Sequence, residues 1–478
     1  MIGICSFGVY LPAYRLSRDV IAQAVGSRAG GGGRTVANYD EDALTMGIDA
    51  AFECLDNYER CFESPLKSER INALFFATAS SPFREKQASS IMSTVLGMKK
   101  QALAVDVLGS LRSGLMAMDL SLPLLKEGNG EGKGLIVVSD KRPAAPASGE
   151  EQAFGDGAAA LLLGRENILV SVEAHCRVNA NFPHYWRREN DPYVQVADAR
   201  FAEDYGYLSL VVEAIKGLMK KTQLTPKDIA KLIVYTPNSR LAKRLARKAG
   251  FNADEQLAEA MLNNLGDTGS AQVFITLFHT LMKAKAAERL ILAGYGDGAD
   301  AFLLQVTENI EKVHKCRGVD DYLRRQRPLG SYGKYLHFKE ITEECTYDAF
   351  SSLALLWREE KQNLGLYGVR CENCGTVAFP RRRVCHHCGA KDRMADFKLS
   401  RRGIVYTYTN DYLYLNPDPP ESLAAVDLEG GGRIFCQVTD VSPQDMKIGL
   451  PVELTFRKLH DGQNIPNYFW KARPAIGR

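Results

Sequence analysis

The chain has 478 residues, 45% of them hydrophobic and 24% charged, with a formal net charge of +3 and a mean hydropathy of −0.20. That length accommodates two or three domains. Near-neutral charge argues against a nucleic-acid partner, and no apolar run approaches the roughly 18 residues of a membrane span. Eleven cysteines, an odd count with four at metal spacing, point to a reducing, cytoplasmic setting rather than a disulfide framework.

Residues 2–11 read as a buried strand that ends at Pro12. Their apolar part is too short for a signal peptide and lacks a basic lead. The glycine-rich run from Ala29 to Gly33 has no Gly-Lys-Ser/Thr ending, so it is not read as a phosphate loop. Asp40-Glu41-Asp42 suits a helix N-terminus, where carboxylates meet free N–H groups, and the apolar spacing beyond it is helical through Leu55. Residues 71–79 predict a strand and a helix follows from about Gln87. Residues 102–108 predict a strand, 113–126 a helix, 134–139 a strand, and 153–164 a glycine turn into a buried strand. The second half repeats the plan. It has a helix over 203–220, a strand over 231–235, a helix near 239–249, a helix from Asn264–Ser270 to about Lys285, and strands at 290–293 and 301–306. Strands alternating with helices, in near-continuous apolar runs, predict a layered α/β fold with buried sheets.

Near the C-terminus, Cys371-Glu372-Asn373-Cys374 and Cys385-His386-His387-Cys388 form two Cys-x-x-Cys knuckles. Each knuckle folds two thiolates onto one side of a turn, and together they complete a tetrahedron suited to structural Zn²⁺. Gly375 and Gly389 follow the second cysteines, where the turn needs positive φ. His386 and His387 read as exposed spacers. Beyond the knuckles, short alternating runs separated by glycine turns, with a hairpin signature at Glu429-Gly430-Gly431-Gly432, predict a small β-barrel of the OB type.

The stretch around which the first domain is organised is Val105-Asp106-Val107-Leu108-Gly109-Ser110-Leu111-Arg112-Ser113-Gly114. An apolar strand enters a Gly-Ser turn and then a helix, a strand–turn–helix elbow at the positive end of a helix. Enzymes place nucleophiles at such elbows. These residues, with Asp-Glu-Asp at 40–42, resemble the thiolase superfamily, most closely the 3-hydroxy-3-methylglutaryl-CoA synthases. The zinc knuckles and the following barrel resemble the zinc-ribbon/OB proteins that accompany acyl-CoA thiolases. The resemblance implies a thiolase-like duplicated layered domain over 1–340 and a zinc ribbon over 366–400 with an OB-fold barrel over 401–478. The charged helical pattern between them reads as a connecting helix over 341–365. It also implies a CoA thioester as substrate or ligand, a homodimer, and a thiolase-type partner enzyme.

In that family a cysteine stands where this chain has Leu111. The family's histidine matches Tyr235 in Tyr235-Thr236-Pro237-Asn238, its asparagine matches Asp267 in Gly266-Asp267-Thr268, and its glutamate falls at Ala79. A leucine cannot attack a thioester, so the acyl-enzyme route looks closed. Ser110 is the remaining nucleophile candidate and would need a neighbouring base. Tyr235, Asp267 and Tyr295 are expected to converge on one pocket, where a tyrosine and a carboxylate can move a proton for aldol or retro-aldol chemistry on a β-hydroxyacyl-CoA. The alternatives are a non-catalytic acyl-CoA-binding subunit and a synthase-like acyltransferase. Phe182-Pro183-His184-Tyr185-Trp186 either lines an acyl pocket or packs as a surface loop. Arg240, Lys243 and Arg244 either meet the CoA phosphates or form a solvated basic face.

Overall fold

The computed structural model describes residues 1–66, 68–127, 132–342, 349–462 and 465–476. Two compact units are present. The first comprises Met1–Asn38, Asp42–Ser93 and Met98–Tyr335, and the second Tyr39–Glu41, Thr94–Gly97 and Leu336–Arg478.

The first unit is built on one mixed sheet of nine strands. In chain order these are β1 (Gly3–Tyr10), β2 (Ile71–Thr78), β3 (Leu103–Leu108), β4 (Lys133–Lys141), β5 (Asp156–Gly164), β6 (Val170–Asn179), β7 (Lys231–Val234), β8 (Arg289–Tyr295) and β9 (Gly298–Val306). Their spatial order is β7-β8-β9-β6-β1-β5-β4-β2-β3. Each end of the sheet carries a parallel pair, β2 with β3 and β7 with β8. The halves meet where β1 pairs with β6 through Gly3↔Ser171 and Ile4↔Val170. β1 and β5 are buried along their whole length, which explains their unbroken apolar runs.

Helices cover the sheet. They include α1 (Ala43–Phe62), α2 (Ser113–Glu127), α3 (Leu208–Thr222), α4 (Ser239–Lys248) and α5 (Gln272–Leu281). Asp42 caps α1 by a capping box with Thr45. Asp40 and Glu41 do not share that task, contrary to the sequence expectation. They belong to the second unit and pair with the buried Arg457 guanidinium at 3.2 and 2.5 Å, beside Asp440 at 2.8 Å. A buried cation recruits carboxylates more strongly than a helix end does. The helix expected over 203–220 begins with a π-helical turn, Ala202–Tyr207, before α3. The helix expected to reach Lys285 is shorter, because Gly269–Ala271 is a 3-10 turn and α5 stops at Leu281.

The second unit contains a three-stranded ribbon and a closed barrel. The ribbon strands are β10 (Tyr367–Cys371), β11 (Val377–Ala378) and β12 (Met394–Lys398). The barrel closes in the order β13 (Arg402–Asp411), β14 (Glu421–Leu428), β15 (Arg433–Val438), β17 (Ile465–Pro474) and β16 (Pro451–Gly462). Trp470 is fully buried in it. Within the expected connecting helix of 341–365, two short helices form, Leu353–Arg358 and Glu360–Asn363. Residues 343–348 of that segment, Cys345 among them, lie outside the described residues. No helix among the described residues is long and apolar enough to cross a membrane.

Candidate functional site

The elbow forms as the sequence pattern requires. Gly109 follows the last residue of β3 with a left-handed φ of +87°, and α2 starts at Ser113. The Ser113 hydroxyl donates back to the Ser110 carbonyl, and the Ser110 hydroxyl donates to the Gly296 carbonyl at 3.0 Å. Gly296 and Asp297 join β8 to β9 and close over the elbow. A Cβ on Gly296 would stand 2.7 Å from Ser110 Oγ and 3.0 Å from the Leu111 nitrogen, so only glycine fits there. Leu111 is 9% exposed and faces the cavity.

That cavity, of about 150 Å³, lies between the elbow and the loop after β6. Ser110 and Tyr295 line it as expected, and so does Ala79 at the family's glutamate position. No cysteine lines it among the described residues. Phe182, His184, Tyr185 and Trp186 form one wall, so this loop takes the pocket-lining role and not the surface-loop alternative. His184 Nδ1 lies 3.2 Å from the Tyr295 hydroxyl. Burial and the nearby Arg142 charge lower the His184 pKa from 6.5 to about 4, so its imidazole is neutral at neutral pH. Burial raises the Tyr295 pKa. A π-helical turn carries Gly206 past this pair, and a Cβ there would come within 2.6 Å of the Tyr295 hydroxyl.

Tyr235 and Asp267 do not reach the cavity, which corrects the expected convergence. They are 2% and 1% exposed. The Tyr235 hydroxyl donates to Asp267 Oδ2 at 2.9 Å, and the Gly269 N–H donates to Oδ1 at 2.9 Å. Arg142 stands between them and the cavity and forms an ion pair with Asp267 Oδ2. Its guanidinium lies over the Phe154 ring at 3.5 Å and the Tyr185 ring at 5.1 Å. A buried carboxylate needs a counter-charge, and Arg142 supplies it. Burial, then the Asp267 charge, pushes the Tyr235 pKa well above its usual value, so the phenol stays protonated.

Sequence reasoning missed Asp140, Arg142 and the direct role of Tyr185. Asp140 ends β4 and lines the cavity fully buried. Oδ1 accepts from the Thr78 hydroxyl, the Ala79 N–H and the Ser80 hydroxyl at 2.8–2.9 Å. Oδ2 accepts from the Ser270 N–H and hydroxyl at 2.8 and 2.5 Å. With five donors the carboxylate is a structural hub that ties β2, β4 and the 269–271 turn around the cavity. The signal was present as polar Ser139-Asp140-Lys141-Arg142 closing an apolar strand.

The α4 cations do not line the elbow cavity. Arg244 pairs with Glu203 and Asp204 at 3.1 and 2.6 Å, Arg240 lies 3.9 Å from Glu203, and Lys243 lies 3.1 Å from Asp254. The cations of these pairs are solvent-exposed, so each pair is of small energy.

In the second unit, Cys371, Cys374, Cys385 and Cys388 bring their sulfurs within 4.8 Å of one another. Cys371 and Cys388 are 3.7 Å apart and Cys374 and Cys385 are 3.6 Å apart. A Zn–S length of about 2.3 Å gives a tetrahedral S···S edge of about 3.8 Å, so the cluster fits Zn²⁺. Gly375 and Gly389 have φ of +75° and +71°, the turn conformation expected of them. His386 and His387 are exposed.

Comparison with known proteins agrees with this architecture. Residues 398–457 match the family described as "ChsH2, C-terminal OB-fold domain", and residues 358–392 match "ChsH2, rubredoxin-like zinc ribbon domain". Residues 219–305 match "3-Oxoacyl-[acyl-carrier-protein (ACP)] synthase III C terminal". Among solved structures, MvaS in complex with 3-hydroxy-3-methylglutaryl coenzyme A superposes with a TM-score of 0.64 at 17% identity, over 73% of this chain and 94% of that one. 3-Oxoacyl-[acyl-carrier-protein] synthase III from Aquifex aeolicus gives 0.56 at 20% identity, over 64% and 100%. Both show the shared thiolase-like fold. The hydroxymethylglutaryl-CoA synthase of Methanopyrus kandleri is 26% identical over 349 residues, 71% of this chain and 97% of that protein. The hydroxymethylglutaryl-CoA synthase of Archaeoglobus fulgidus is 31% identical over 351 residues, which are 71% of this chain and 99% of that protein. With a thiolase-like domain of this likeness followed by a zinc ribbon and an OB barrel, the chain belongs to the hydroxymethylglutaryl-CoA synthase family.

Proposed function

We propose that the thiolase-like domain binds a CoA thioester at the elbow and performs carbon–carbon bond chemistry on it without an acyl-enzyme, as an aldol or retro-aldol step on a β-hydroxyacyl-CoA. The observation that carries this reading is Leu111 at the elbow beside a cavity that still holds polar groups. With Nδ1–H donating to the Tyr295 oxygen, His184 Nε2 can accept the β-hydroxyl proton. The carbonyl then forms at Cβ as the Cα–Cβ bond breaks, and the electron pair moves onto the thioester oxygen as an enolate. A donor for that oxygen is the edge of Arg142 that lines the cavity. Protonation at Cα releases the shorter acyl-CoA. Tyr235 and Asp267 act as positioning residues, because they hold Arg142.

The low basicity of His184 favours a second reading, acyl-CoA binding without turnover. The names of the relatives favour a third, synthase-like acyl transfer, which needs a nucleophile other than Leu111. A panel of β-hydroxyacyl-CoA and acyl-CoA thioesters, followed by mass spectrometry of both products and protein, separates the three. A carbonyl compound plus a shorter acyl-CoA, with unchanged protein mass, supports the aldolase. An acylated protein overturns it in favour of the transferase, and binding alone favours the scaffold. The zinc is structural in this proposal, because four cysteines leave no open position.

The active unit we propose is a homodimer. β3 is an edge strand, and Leu103, Leu108, Met116, Leu120 and Leu124 on β3 and α2 are exposed. Such a stripe is the kind of surface a second copy covers. A thiolase-type enzyme is a further expected partner, and the cytoplasm the expected compartment.

A further inference from the structure

Two buried cysteines remote in sequence from the elbow face each other sulfur to sulfur. Cys61 lies in the last turn of α1, and Cys316 follows the 3-10 segment Glu308–Lys315. They are 255 residues apart in sequence, yet their sulfurs are 2.7 Å apart, and both are free thiols. A bonded pair sits at about 2.03–2.05 Å, so a small rotation of one side chain closes the bond. The backbone around them is held in place. Asn57 Nδ2 donates to the Arg317 carbonyl at 3.0 Å, and the Arg317 N–H donates to Asn57 Oδ1 at 2.9 Å.

The surroundings also favour reactivity. The Cys316 hydrogen bond lowers the Cys61 pKa most, against the opposing effect of burial, and the Lys315, Lys312 and Arg60 charges add to the lowering. Oxidation by peroxide follows thiolate character and exposure together, and a resolving thiol beside the thiolate directs the product to a disulfide.

We propose that Cys61 and Cys316 form a reversible oxidation site, in which hydrogen peroxide converts the dithiol to a disulfide that ties the end of α1 to the 308–317 segment. The Cys61 thiolate attacks one peroxide oxygen, and the O–O bond breaks to leave a sulfenic acid and hydroxide. The Cys316 sulfur then attacks the sulfenic sulfur, and water departs. In sum, two thiols lose two electrons and two protons, and one peroxide becomes two waters. A cellular dithiol reverses the step by thiol–disulfide exchange.

The test uses the full-length, zinc-loaded protein. It is treated with hydrogen peroxide, alkylated under denaturing conditions and digested for peptide mass mapping. The expected product is one cross-linked peptide pair containing Cys61 and Cys316, lost on dithiothreitol treatment and absent from Cys61→Ser and from Cys316→Ser. The thermal midpoint of the oxidised protein should rise by several degrees, because the bond closes a long loop. Quantitative alkylation of Cys61 after peroxide overturns the proposal, as does a Cys61 sulfinic acid without a cross-link. If one serine variant fails to fold, the wild-type peptide map and the other variant still decide the matter.

Discussion

Tyr235 and Asp267 form a buried hydroxyl–carboxylate hydrogen bond of 2.9 Å, and the same carboxylate oxygen pairs with Arg142 at the cavity wall. The bond therefore transmits its effect through Arg142. Tyr235→Phe removes one donor from a satisfied carboxylate and should cost about 1–2 kcal/mol of stability. Asp267→Asn strips Arg142 of its counter-charge and should cost about 3 kcal/mol. Urea denaturation checks both, and equal losses in the two variants would contradict the ion-pair role of Asp267.

Leu111→Cys tests the elbow directly. The new thiol would stand at the N-terminal end of α2, where the helix dipole favours a thiolate. Intact-mass measurement with acetyl-CoA should show an acetyl adduct on this variant and none on the wild type. An adduct on the wild type would move attention to Ser110.

His184 makes stability depend on pH. Its pKa is about 4 in the fold against an ordinary 6.5. Between those values the unfolded chain holds a proton that the folded chain does not. The His184 contribution is therefore complete above pH 6.5 and declines as pH falls towards 4. His184→Gln should flatten that part of the stability profile in parallel urea titrations, and an unchanged slope would refute the assignment.

Zinc removal should act on the ribbon. One equivalent of Zn²⁺ per chain is expected by metal analysis, with chelation at elevated temperature exposing the 367–398 segment to proteolysis. Cys374→Ser should reproduce this without chelator. A full-length protein that is metal-free and protease-resistant would argue for a degenerate ribbon.

Leu120→Arg places a charge in the exposed α2 stripe. Light scattering should report a monomer for this variant and a dimer for the wild type, with thermal stability changed by less than about 1 kcal/mol if the variant is compared as a monomer. A wild-type monomer would remove the proposed interface.

The local patterns were legible because they depend on neighbours in sequence. Apolar runs at 71–79, 102–108 and 134–139 mark β2, β3 and β4 to within a few residues. β2 and β4 are buried almost throughout and so need unbroken apolar sequence, while β3 keeps its apolar run as a half-exposed edge strand. The Cys-x-x-Cys knuckles marked their own cluster, since each pair is held by a single turn. Helix limits at Ala202–Tyr207 and Leu281 were less legible, because tertiary contacts at Gly206 and the 269–271 turn set them.

By itself the sequence determined the alternating strands and helices, the four clustered thiols, the elbow and the leucine that occupies it, since each is written in spacing or in one residue's chemistry. The duplicated plan of the first domain came from the family resemblance. Only the tertiary structure decided which polar groups meet the cavity. Arg142 comes from the end of β4, His184 and Tyr185 from the loop after β6, and Tyr295 from the end of β8. Tyr235 and Asp267 withdrew behind Arg142 because a carboxylate buried in a low-dielectric interior must pair with a cation, and no sequence spacing records where that cation will come from.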